Sequence, residues 1–176
     1  MVTATLAAHP LTPGAAVRSI VVRLDRQAAG ELLLSYVIEG ELERLRIPAT
    51  RTPRAADRLW QHTCCEMFVA RAGAAAYHEF NFSPSGEWAA YAFTAYRRAG
   101  SALKVAPTIS VRRSRQKLEL DAAVQCEVRG KLSVGLSAVI EGEDGALSYW
   151  ALRHPAGKPD FHHSESFALE LDEVRD

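Results

Sequence analysis

The fold this sequence predicts is all-β: two antiparallel sheets packed as a sandwich with jelly-roll or immunoglobulin-like layering, about ten strands and one short helix. Three observations predict it. Residues 117–127 alternate, with Leu118, Leu120, Ala122, Val124 and Cys126 on one side and Lys117, Glu119, Asp121, Gln125 and Glu127 on the other, which is the period of a strand with one face in water. Between such segments lie turn formers: Arg71-Ala72-Gly73, Ser83-Pro84-Ser85-Gly86 and Glu143-Asp144-Gly145. Little of the chain carries the 3.6-residue period of an amphipathic helix.

In order, residues 1–16 read as an extended, loop-like lead-in, followed by strand patterns at 19–25, 32–39 and 41–47. Pro, Thr and Arg interrupt any periodicity over 48–56, and 54–60 is the one briefly helical stretch. Strands follow at 63–71, 75–82 and 87–96, then 117–127, 133–141, 147–153 and 166–171. The basic cluster Arg112, Arg113, Arg115 and Lys117 runs straight into alternating acids, which fits a hairpin tip in water rather than a phosphate site.

A chain of 176 residues suits one domain, here 1–176. Its 21 Lys and Arg residues balance 21 Asp and Glu residues, so no long-range field favours nucleic acid or an anionic membrane. The first residues lack the charged and apolar regions of a signal peptide and no segment reaches membrane-spanning length, so a cytoplasmic location is expected. Cys64, Cys65 and Cys126 lack the spacing of a disulfide framework or a zinc knuckle and read as reduced, buried small residues.

Residues 63–96 carry most of the functional information, because three strands joined by two short turns should form a meander. Centring the first turn on Ala72-Gly73 sets Glu66 opposite Glu79, and centring the second on Pro84-Ser85 sets Asn81 opposite Trp88. Alternation then assigns Cys65, Met67, Val69, Phe80, Phe82, Tyr91 and Phe93 to the core face, with His78 as a polar intruder. The other face collects Glu66, Phe68, Tyr77, Glu79, Asn81, Trp88 and Thr94. Carboxylates, an amide and aromatics on one face resemble a binding site more than plain solvated sheet.

Two carboxylates about 5 Å apart repel by roughly 3 kcal/mol at an effective dielectric near 20, so something should compensate. The candidates are an arginine such as Arg97 or Arg153, a bound cation, a shared proton or ligand hydroxyls. An arginine-neutralised pair would be plain architecture. Trp88 and Trp60 have ordinary packing as their structural alternative, and of the neighbours Tyr149 and Trp150 one must face outward or into a cleft.

The segment 153–163 holds His154, His162 and His163 together with Asp160, two prolines and a glycine, and reads as a structured loop. Its ligand spacing matches no zinc or non-haem iron pattern, so hydrogen-bonding histidines are favoured over metal ligands. No nucleophile elbow, phosphate loop, dinucleotide fingerprint or zincin helix is present. Paired carboxylates at about 5 Å could serve a retaining glycosidase, yet the chain offers little beyond the sandwich to build a deep cleft. A non-enzyme is expected.

Three stretches carry a family likeness: Leu59-Trp60-Gln61-His62-Thr63-Cys64-Cys65-Glu66-Met67-Phe68, Tyr77-His78-Glu79-Phe80-Asn81-Phe82-Ser83-Pro84-Ser85-Gly86-Glu87-Trp88, and Ser148-Tyr149-Trp150-Ala151-Leu152-Arg153-His154-Pro155 through Lys158-Pro159-Asp160-Phe161-His162. In these the chain, over residues 19–172, resembles the bacterial DOMON-like proteins, which are similar in turn to family 9 carbohydrate-binding modules. The resemblance implies a β-sandwich that binds sugars in some relatives and haem in others. Sugar-binding relatives grip the saccharide between aromatic rings with amide, arginine and carboxylate hydrogen bonds, parts that Trp88, Trp150, Asn81, Glu79 and Arg97 could play. Haem-binding relatives use Met and His as axial ligands, whereas Met67, the one internal methionine, falls on the predicted core face.

The expectation is thus a non-catalytic domain that binds a small carbohydrate or polyol through Glu66, Glu79, Asn81, Trp88, Arg97 and Trp150. No cofactor is expected. The alternatives are haem or a divalent cation held by His154, Asp160, His162 or His163, and a partner-binding role in which an exposed tryptophan and an edge strand form a homodimer.

Overall fold

Alternating side chains of the kind seen in 117–127 become twelve strands in the computed structural model, which describes residues 1–174. They are β1 (Val2–Ala8), β2 (Val17–Arg26), β3 (Glu31–Gly40), β4 (Cys64–Arg71), β5 (Tyr77–Phe82), β6 (Trp88–Ala95), β7 (Arg98–Ala102), β8 (Thr108–Arg113), β9 (Lys117–Gln125), β10 (Leu132–Glu141), β11 (Leu147–Ala151) and β12 (Leu169–Leu171). All pairings between them are antiparallel. The back sheet runs β1-β2-β3-β9-β8 and the front sheet β7-β6-β5-β4-β10-β11, with β12 also on β10. The β1 strand belongs to both: Val2 to Leu6 pair with β2, and Ala7 and Ala8 with β11.

The layers meet through their apolar faces. Ile20, Val22, Leu34, Ile38, Leu118 and Leu120 from the back sheet and Cys65, Met67, Phe80, Phe82, Leu136 and Ile140 from the front are buried in one cluster. Tyr36 of β3 crosses this core and donates its hydroxyl to the Glu66 carbonyl at 2.7 Å. A phenol that satisfies a polar group at this depth ties the sheets together directly beneath β4. The opposite face of the front sheet carries a second, smaller cluster that includes Phe68, Tyr77, Val139 and Phe161.

Several elements differ from the sequence reading. The lead-in contains β1, whose Val2, Ala4, Leu6 and Ala8 face inward relative to Thr3, Thr5 and Ala7; their small side chains made the alternation weak. Residues 41–47 form a 3-10 turn, Leu42–Arg44, and a single bridge from Leu45 to Gly142 instead of a strand. In place of a helix at 54–60, Ala55 makes a parallel bridge to Trp88, Arg58 takes a left-handed conformation (φ 58°), and only Leu59–Gln61 makes a 3-10 turn. Strands β7 and β8 were not anticipated. The basic cluster does lie at the β8–β9 hairpin, where Arg112 pairs with Glu119 and Asp121.

The meander registers also differ, with unequal consequences. Glu66 pairs with Asn81, and Glu79 with Phe68, because the first turn centres one position later than expected. That moves each pair by two residues and preserves the faces. At the second turn the loop holds three residues, Pro84-Ser85-Gly86, closed by Ser83 N–H to Glu87 O at 2.9 Å, with Gly86 at φ 88°. Phe82 therefore opposes Trp88, and Asn81 opposes Ala89. An odd slip turns the whole strand over, so Tyr91 and Phe93 leave the core face while Trp88 and Thr94 leave the site face.

Candidate ligand-binding site

The outer face of the front sheet carries a cavity of about 510 Å³. Its floor comes from successive strands: Glu66 and Phe68 on β4, Glu79 on β5, Tyr91 and Phe93 on β6, Val139 on β10 and Tyr149 on β11. Two loops complete the walls. The segment before β4 supplies Asp57, Arg58 and Trp60, and the segment between β11 and β12 supplies Pro159, Phe161 and His162; Arg97 reaches in from the β6–β7 turn.

Each loop is tied down by its own polar contacts. Glu87, just after the tight turn, accepts from Arg54 Nε at 2.8 Å and from the Ser85 hydroxyl at 3.0 Å. Arg54 lowers the Glu87 carboxyl below its usual value, against the opposing effect of burial. The Tyr91 hydroxyl donates to Asp57 at 2.6 Å and so fixes the loop bearing Trp60 to β6. On the other side Arg97 pairs with Asp160 at 2.9 Å, and Tyr96 donates to the same carboxylate. Burial would raise Asp160, but these donors outweigh it and hold the carboxyl below its ordinary range.

The two glutamates are the electrostatic centre. Glu66 is 3% exposed and Glu79 is 5% exposed. Glu79 accepts from Asn81 Nδ2 at 2.8 Å and lies 3.7 Å from His162 Nε2. Among the described residues, neither carboxylate pairs with a lysine or arginine, because Arg97 is committed to Asp160 and Arg153 is exposed. Burial, and then the charge of Glu79, drives the Glu66 carboxyl well above its usual range; the adjacent Ser137 hydroxyl acts the other way, at a geometry too poor to count as a hydrogen bond. Glu79 is raised as well, by burial, with the Asn81 amide and Arg97 opposing. Among the described residues no arginine compensates the pair, and the raised pKa of both carboxyls fits a proton held by one of them.

His162 stays neutral. Burial and then the Arg97 charge lower its pKa to about 4, against the pull of Asp160. Its Nδ1 lies 2.8 Å from the Tyr77 hydroxyl, which also accepts the Arg97 backbone N–H at 3.1 Å.

Of the residues anticipated from sequence, Glu66, Glu79 and Arg97 line the cavity. Asn81 shares the outer face with Glu66 and Glu79 but is fully buried, does not line the cavity and donates to Glu79. Trp88 is on the other side of β6 through the odd loop. Trp150 is also misassigned: it is 6% exposed, belongs to the sandwich core and donates its indole N–H to Ser148, while Tyr149 faces the cavity. Trp60 is the tryptophan at the rim, 47% exposed. Its placement depends on the left-handed Arg58 before it, which no sequence signal announced.

The weak metal candidates do not converge. His154 Nε2 contacts the Ala7 carbonyl at 2.9 Å, and His163 Nδ1 accepts from the Glu165 N–H at the start of a 3-10 turn. Asp160 serves Arg97 and Tyr96, and His162 serves Tyr77. Among the described residues no three His, Cys, Asp or Glu side chains are grouped to hold an ion.

No protein-family model matches the chain, and no curated protein matches it in sequence. Solved structures do match in fold, and the β-sandwich they share is that of the carbohydrate-binding proteins named next. The chain is similar to a candidate carbohydrate-binding protein from Bacteroides uniformis, with TM-score 0.66 and 17% identity over 94% of this chain and 84% of that one. It is also similar to a family 9 carbohydrate-binding module from Caldicellulosiruptor kristjanssonii. The glucose complex of that module gives TM-score 0.58 and 9% identity over 88% and 75% of the two chains, and a cellotriose complex gives 0.54 and 9% over 79% and 67%.

Proposed function

We propose that this protein is a non-catalytic binding domain for a small carbohydrate, held in the cavity on the outer face of the front sheet. One observation carries the proposal: an open, aromatic-walled cavity whose floor presents two carboxyl groups not neutralised by any arginine or lysine among the described residues. Rings suit the apolar faces of a pyranose, and carboxyl oxygens accept from its hydroxyls. The fold likeness to modules solved with glucose and cellotriose supports the reading, as does the motif resemblance to DOMON-like proteins, which belongs to the same proposal.

A calorimetric screen of mono- and disaccharides should find at least one that binds at millimolar concentration or better. Binding should weaken at least tenfold, about 1.4 kcal/mol, in Trp60→Ala, with little change in Trp88→Ala. If no sugar binds at millimolar concentration, the proposal fails.

A further inference from the structure

We infer that the sugar this cavity fits carries a protonated amine: an amino sugar whose ammonium sits at the Glu66 and Glu79 carboxyls while its ring lies against Trp60. The inference rests on the carbohydrate reading and goes beyond it to the ligand's charge.

The geometry asks for a cation. Glu66 and Glu79 stand one diagonal step apart on neighbouring strands, both aimed into the cavity and both nearly sealed from bulk water. Among the described residues, the Glu66 carboxyl has no hydrogen-bond partner of good geometry and no ion pair; its cross-strand neighbours are Asn81, turned to Glu79, and Ser137, whose buried hydroxyl is itself unpartnered. A buried acid left this way is costly. The aromatic lining, Trp60, Phe68, Tyr91 and Phe93 among it, suits an ammonium, which the faces of such rings attract.

Charges facing the pair from other elements do not cancel this preference. Arg97 is neutralised by Asp160, Arg58 lies beside Asp57, and His162 is neutral, so four carboxyls stand against two guanidiniums. With nothing bound, a proton on one of the two carboxyls relieves the repulsion. An ammonium would displace that proton and satisfy both carboxylates, whereas a neutral hydroxyl can bond to only one at a time and leaves the proton in place.

The test is calorimetry at pH 7 on the intact chain with glucosamine, glucose and N-acetylglucosamine, each in two buffers of different ionisation enthalpy. Glucosamine should bind at least tenfold more tightly than the other two, with release of close to one proton, and its advantage should vanish in Glu66→Gln. If the variant fails to fold, the wild-type comparison decides alone. Glucose binding as tightly as glucosamine would overturn the amine inference and leave the carbohydrate reading standing; binding by none of the three would overturn the amine inference, and the carbohydrate reading would fall with it only if the wider saccharide screen also found no binder.

Discussion

The Glu66 carboxyl, nearly buried in the cavity floor beside Glu79, couples folding to pH. Its folded-state pKa is raised, chiefly by burial, so the stability it confers is present below its unfolded value and lost as pH rises through the folded one. Each pH unit inside that window costs up to about 1.4 kcal/mol. Wild-type protein should therefore lose thermal stability as pH rises above the ordinary glutamate range, and Glu66→Gln, which cannot ionise, should lose much less. Melting curves that shift in parallel for both proteins would show that Glu66 ionises freely. The tryptophans make a second contrast at this scale. Trp60, half exposed at the rim, should govern sugar affinity, whereas Trp150→Phe should act on stability, because its ring fills the core and its N–H meets Ser148.

At the scale of the element, one loop decides which side chains reach the site. Pro84-Ser85-Gly86 has three residues, and Gly86 takes φ 88°, a left-handed conformation that costs other residues strain. Gly86→Ala should destabilise the fold by about 1 kcal/mol in urea unfolding. Gly86→Asn should cost less, since asparagine tolerates that region better. Deleting Pro84 is the harsher test. Ser85 and Gly86 would have to close the same Ser83–Glu87 pair with a different turn, so Phe82 would stay opposite Trp88 while the contacts of Ser85 with Ser83 and Glu87 are distorted. Such a variant should unfold more easily while the same side chains line the cavity, and unchanged stability would show that the three-residue turn contributes little.

For the whole molecule, the link between layers is the hydrogen bond from Tyr36 on the back sheet to the Glu66 carbonyl on the front sheet. Tyr36→Phe keeps the ring and leaves a buried carbonyl short of a donor, so it should cost about 1 to 2 kcal/mol in denaturant unfolding. Because that carbonyl belongs to the residue at the centre of the cavity, ligand affinity should fall with it; a loss of stability with unchanged affinity would separate core from site. The three cysteines are buried free thiols. In the native protein they should resist a thiol reagent that modifies all of them after unfolding, since burial raises the thiol pKa of each.

Much of this was legible in the residues themselves. Local alternation follows from the two-residue period of a strand, so β2, β3, β9 and β10 and the inward sets Leu118/Leu120 and Cys65/Met67 could be read without coordinates. The placement of Glu66 and Glu79 on one face survived a wrong turn centre because that error was even. Trp88 did not survive, because the next error was odd. Trp60, Phe161 and His162 reach the cavity by long-range packing of loops held by Arg54, Asp57 and Asp160, which no local pattern encodes. By itself, then, the sequence determined the all-β class, the core faces of β4, β5 and β9, and the acidic pair. Which aromatic rings surround that pair, and that no arginine among the described residues neutralises it, only the tertiary structure decided, because a strand's period is a property of neighbours in the chain while a cavity is built by neighbours in space.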